Sequence, residues 1–131
     1  MRRFDRQELA AIFVGGAVGA VARVWLSQRY VQSDTSWPWT IFLINITGAF
    51  ALGYFATRLQ ERLPQSTYRR PLLGTGFCGA FTTFSTMEVE ILKMVEAGHY
   101  ALAVSYAVIS VIAGVLAIWF AGSLVRRARL L

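Results

Sequence analysis

Four long apolar stretches separated by short polar ones organise this chain, at about 9–26, 38–57, 72–95 and 100–125. Each reaches or approaches the roughly 20 residues a helix needs to cross hydrocarbon. The pattern predicts an all-α membrane protein with four transmembrane helices. Those helices use up most of the 131 residues, so residues 1–131 read as a single transmembrane domain. No room remains for a large catalytic site outside the membrane.

The third stretch departs from a plain apolar helix. Gly74, Gly76 and Gly79 stand among Thr82, Thr83, Ser85 and Thr86. Glycine weakens a helix, and hydroxyl side chains compete for backbone hydrogen bonds. In lipid an interrupted backbone is tolerated only where protein or a water-filled cavity satisfies it. The run therefore predicts a broken helix beside an ion or substrate site. A continuous helix whose small residues permit close packing is the plainer alternative.

Polar residues inside the other stretches are few. Gly15 and Gly19 on helix 1 make a pair of small residues four apart, suited to close helix packing. Arg23 lies near the end of helix 1. It either snorkels to the interface or lines a vestibule that attracts anions. Asn45 sits within helix 2 among Leu43, Ile44 and Ile46. Its amide either bonds to another helix or presents an N–H to a passing anion. Tyr106 and Ser110, four apart on helix 4, share a face. Glu88 and Glu90 are predicted to cap the second half of helix 3, with Glu90 pairing to Lys93; a proton relay is the alternative. His99 reads as a solvated residue in a short turn.

Composition sharpens the class. The chain is 56% hydrophobic, with mean hydropathy +0.50, too apolar for a soluble domain of this size. The first apolar stretch is long for a signal peptide and contains Arg23, so it is expected to be retained. A single cysteine, Cys78, leaves no intrachain disulfide. The net charge of +6 does not indicate nucleic acid, because its placement follows topology. Arg2, Arg3, Arg6, Arg58, Arg62, Arg69, Arg70, Arg126, Arg127 and Arg129 fall in segments that four spans place on one side. Arg23, Arg29 and Lys93 belong to the other. The positive-inside rule puts both termini in the cytoplasm. Trp25, Tyr30, Trp37 and Trp39 read as an aromatic belt at the opposite interface. No nucleophile–base set and no His or Cys metal motif is present, which argues against an enzyme.

The sequence resembles the Fluc (CrcB) family of small fluoride channels over nearly its whole length. The resemblance rests on Gly15-Gly-x-x-Gly-Ala-x-x-Arg23, on Leu-Ile-Asn45-Ile-Thr-Gly48, and on Gly76-Phe-Cys-Gly-Ala-Phe-Thr-Thr-Phe-Ser-Thr86. It implies an antiparallel, dual-topology dimer in the bacterial inner membrane, with two fluoride pores each lined by both subunits. It also implies a structural sodium ion, not transported, held by the backbone carbonyls of Gly79 and Thr82. The implied pore residues are Asn45, Phe84, Ser85, Thr86, Tyr106 and Ser110, with Arg23 in the vestibule. Met87 stands where a second pore phenylalanine is expected, and Phe81 is displaced in the wrong direction to replace it. Gly114 stands where a serine is common. Ten basic residues against three predict insertion mainly one way, with a separately encoded partner of opposite orientation; the antiparallel homodimer that family membership favours is the alternative. Two other classes suit four short spans: a proton-coupled multidrug transporter, which lacks its helix 1 carboxylate here, and a non-transporting assembly subunit.

Overall fold

The computed structural model describes residues 5–33, 36–61 and 68–128. Arg2, Arg3, Arg62 and Arg129 lie outside the described residues. The chain is helical throughout, with no strand among the described residues. Helix α1 spans Arg6–Arg29 and α2 spans Trp39–Glu61. A π-helical segment, Pro71–Cys78, runs into the short α3, Gly79–Phe81. Helices α4, Phe84–Glu96, and α5, Tyr100–Arg127, complete the chain.

Local chemistry sets these limits. The Asp5 carboxylate caps α1 by accepting from the Gln7 N–H at 2.9 Å. Pro38 contributes its carbonyl to the Phe42 N–H at 3.0 Å, where its own missing N–H costs nothing. Pro71 opens the π-helical segment in the same way. Gly98, at φ 81°, takes the left-handed conformation that ends α4. Around it the His99 N–H reaches the Met94 carbonyl at 2.8 Å. His99 is exposed, as expected. Helices α1, α2 and α5 all run past the predicted limits, and each is long and apolar enough to cross a membrane. The third stretch is divided among the π-helical segment, α3 and α4, of 8, 3 and 13 residues. None of these pieces alone has the length to span.

Packing follows the small residues. Helix α1 lies against the π-helical segment and α3, and α2 lies against α5. A Cβ on Gly15 would collide with the Leu72 carbonyl oxygen, and one on Gly19 with that of Phe77. Backbone therefore meets backbone along this contact. Ile41, Ile44, Met87, Met94, Ala103 and Tyr106 form the core where α2, α4 and α5 converge. The outer faces stay apolar: Phe13, Val21, Val111, Val115 and Trp119 are all exposed. Such faces suit lipid or another subunit rather than water. The Tyr68 hydroxyl donates to Gln7 Oε1, and Arg126 meets Glu61 at 3.4 Å. The start of α1, the end of α2, the start of the π-helical segment and the end of α5 thus gather Arg6, Arg58, Arg69, Arg70, Arg126 and Arg127 at one end.

Candidate functional site

Thr82 and Thr83, between α3 and α4, have extended backbones, at φ −77°, ψ 156° and φ −148°, ψ 119°. The side chain opposite them is Asn45. Its Nδ2 donates to the Thr83 carbonyl at 3.0 Å. Its Oδ1 accepts from the Thr83 N–H at 2.8 Å. The amide thus takes the place of a helical neighbour for a buried residue that has left helical geometry. The Thr82 methyl fills the space that a Cβ on Gly48 would need, so α2 can come this close only with glycine there.

Three hydroxyls continue the network into α4. Thr83 is the N-cap: its Oγ1 accepts from the Thr86 N–H at 3.2 Å. The same hydroxyl donates to Thr86 Oγ1 at 3.1 Å and lies 3.3 Å from Ser85 Oγ. The expectation that Glu88 and Glu90 cap this helix is corrected, because a hydroxyl one residue before its start satisfies the free N–H directly. Glu90 instead accepts from the Tyr106 hydroxyl at 2.7 Å, joining α4 to α5.

Asn45, Gly79, Thr82, Thr83, Phe84 and Met87 share the wall of one cavity of about 640 Å³, with Arg70 also on its lining. The structure therefore brings Gly79 and Thr82 together with two of the implied pore residues, Asn45 and Phe84, and with Met87 at the expected place of a third, while Ser85, Thr86, Tyr106 and Ser110 are not on this lining. A smaller cleft of about 200 Å³ lies under the first loop, lined among others by Thr86, Glu90, Lys93, Gln32 and Ser36. Thr83 and Thr86, bonded to each other, line the first and the second respectively. Ser85 is exposed. Tyr106 is fully buried, and its ring meets Trp37 edge-on at 5.4 Å. The Ser110 hydroxyl is buried and meets no hydrogen-bond partner among the described residues.

Arg23 does not simply snorkel to the interface. Its Nε donates to the Ala80 carbonyl at 3.0 Å, tying α1 to α3 just before the extended residues. Phe84 is 71% exposed on the single chain while Met87 is 7% exposed. Phe81 stacks on Phe77, with centroids 5.4 Å apart. No cluster of three or more His, Cys, Asp or Glu side chains suited to a metal occurs among the described residues. Sequence reasoning did not single out Thr83, although a threonine just ahead of a helix is a recognisable N-cap signal. Nothing local marked the bond from Glu90 to Tyr106, which joins residues 16 apart.

The fold is that of a helical membrane protein in which an asparagine on one helix is clamped to extended backbone beside a cavity. The chain belongs to the CrcB family: the family model described as CrcB-like protein, Camphor Resistance (CrcB) matches residues 10–122. The chain is 55% identical to a Mycobacterium bovis protein named Fluoride-specific ion channel FluC 1, over 99% of this chain and 98% of that one. A Mycolicibacterium paratuberculosis protein of the same name is 57% identical, over 98% of both chains. A Bacteroides fragilis protein named Fluoride-specific ion channel FluC is 37% identical, over 90% of this chain and 95% of that one. These relatives are named as channels, not enzymes.

Proposed function

We propose that this chain forms a fluoride-selective channel that passively exports fluoride across the bacterial inner membrane and so lowers its cytoplasmic concentration. The observation that carries this reading is Asn45. One amide hydrogen is spent on Thr83, and Nδ2 has a second, on a residue that lines the cavity beside Phe84 and Met87. The names of the relatives supply the ion.

Fluoride is small and strongly hydrated, so a pore must replace part of its water shell while binding weakly enough for release. Asn45 offers an N–H. Thr86 accepts from Thr83 and keeps its own hydroxyl hydrogen for an anion. Ser85 and Ser110 add hydroxyls, and the positive edge of the Phe84 ring adds a weaker attraction. Tyr106, anchored by Glu90, fixes the wall of this track. Met87 is flexible and polarizable, leaving the path open where a second ring is usual. Arg23 makes the vestibule electropositive.

In this reading the third span crosses the membrane as two half-helices that meet at Thr82 and Thr83. Exposed Phe84 and the apolar outer faces are covered by a second subunit inserted antiparallel, which gives two pores per dimer. The charge asymmetry of the ends favours a separately encoded partner of opposite orientation, with the homodimer as the family default. The carbonyls of Gly79 and Thr82 fit a hard cation, which takes oxygen ligands. In a continuous helix they would accept from the N–H groups of Thr83 and Thr86, but those donate to Asn45 and Thr83 side chains instead. A sodium ion held there supplies fixed positive charge at the centre of the dimer and is not transported.

The test is growth in fluoride of a bacterial strain deleted for its own fluoride exporter. The wild-type chain, with its partner if one is encoded, restores growth. Asn45→Asp does not, because its negative charge repels the anion. Equal rescue by Asn45→Asp removes Asn45 from the path.

A further inference from the structure

We infer that the Asn45 amide and the Thr83 hydroxyl hold open the two carbonyls that receive the cation, so that these side chains set its affinity. The inference rests on the sodium site proposed above and assigns residues that control it without touching the ion. In an uninterrupted helix each carbonyl accepts from the N–H four residues on. The Thr83 N–H, due to Gly79, goes to Asn45 Oδ1 at 2.8 Å. The Thr86 N–H, due to Thr82, goes to Thr83 Oγ1 at 3.2 Å.

Neighbouring carbonyls are engaged instead. The Cys78 oxygen accepts from the Thr82 N–H at 3.1 Å and from the Thr82 hydroxyl at 2.9 Å. The Ala80 oxygen accepts from Arg23 at 3.0 Å. The diverted donors, on Thr83 and Thr86, are thus the ones due to the same two carbonyls, Gly79 and Thr82, that the resemblance assigns to sodium. Thr83 is only 8% exposed, so water does not compete well for its main chain. Asn45 is therefore a positioning residue for the cation as well as a donor to the anion. Its loss lets the Thr83 N–H return to Gly79 and fill the cation's seat.

The experiment measures the thermal unfolding midpoint of the purified dimer against sodium concentration, with N-methylglucamine replacing sodium at constant ionic strength. A ligand that binds only the folded state raises this midpoint. In the wild type the midpoint rises with sodium. Asn45→Asp keeps an acceptor for the Thr83 N–H, and its half-saturating sodium stays within about threefold of wild type. Asn45→Leu removes both bonds and raises the half-saturating sodium about tenfold or more, the scale of one lost hydrogen bond. Both variants lose fluoride flux, so flux loss does not account for the difference. Thr83→Ser behaves as wild type and Thr83→Val as Asn45→Leu; this pair decides the matter if Asn45→Leu does not fold. Wild-type sodium dependence in both Asn45→Leu and Thr83→Val overturns the inference while leaving the sodium site standing. A wild type indifferent to sodium removes the site and the inference together.

Discussion

Asn45 and Thr83, 38 residues apart, hold each other through two hydrogen bonds of 3.0 and 2.8 Å, one in each direction between amide and main chain. The pairing makes a stretch of extended backbone affordable in a place with little water. It follows that Asn45→Ala removes both bonds and leaves the buried Thr83 carbonyl without its partner, at a cost of about 1–3 kcal/mol. A clearly lower midpoint in thermal unfolding of the purified protein is expected. An unchanged midpoint means that the clamp contributes nothing to stability.

The contact of α1 with the π-helical segment yields a second prediction. A methyl at Gly15 or Gly19 meets backbone oxygen, which cannot rotate away, whereas a methyl at Gly114 meets nothing within 4 Å. Gly15→Ala and Gly19→Ala should each destabilise by roughly 1–3 kcal/mol through overpacking. Gly114→Ala should stay within about 0.5 kcal/mol of wild type. Comparable losses at all three positions contradict the packing described. Midpoints of the three purified variants, measured side by side, decide it.

Much of this was legible in the sequence, for identifiable reasons. The apolar runs that became α1, α2 and α5 are long, so length and composition sufficed. The ends of those helices ran further than predicted because Arg6, Arg29, Glu61 and Arg127 are good helix formers, although polar. The crowding of glycine and hydroxyl residues at 74–87 marked the unusual stretch. It did not say which hydroxyl captures which N–H, because Thr82, Thr83, Ser85 and Thr86 are chemically alike. Thr82 turned back to the Cys78 carbonyl while Thr83 turned forward to cap α4. Their opposite choices follow from backbone dihedrals, which spacing does not encode. The capping role assigned to Glu88 and Glu90 failed for the same reason: a nearer oxygen was available.

Arg23 yields a third prediction, because its two roles separate in ionic strength. Its bond to the Ala80 carbonyl is short-range, while its field in a vestibule is screened over about 30 Å at 0.01 M salt and about 3 Å at 1 M. Arg23→Gln should slow fluoride efflux from liposomes, and the deficit should shrink as an impermeant salt is raised across that range. A deficit of constant size at every ionic strength contradicts the electrostatic role and leaves only the tie to α3.

The central claim is selective passage of fluoride along the cavity beside Asn45. Its most direct measurement is ion efflux from liposomes reconstituted with the purified channel, recorded with fluoride-selective and chloride-selective electrodes in turn. Rapid fluoride release with chloride retained is the predicted result. Chloride release at the same rate, or no fluoride release from protein shown to be folded and assembled, would contradict it.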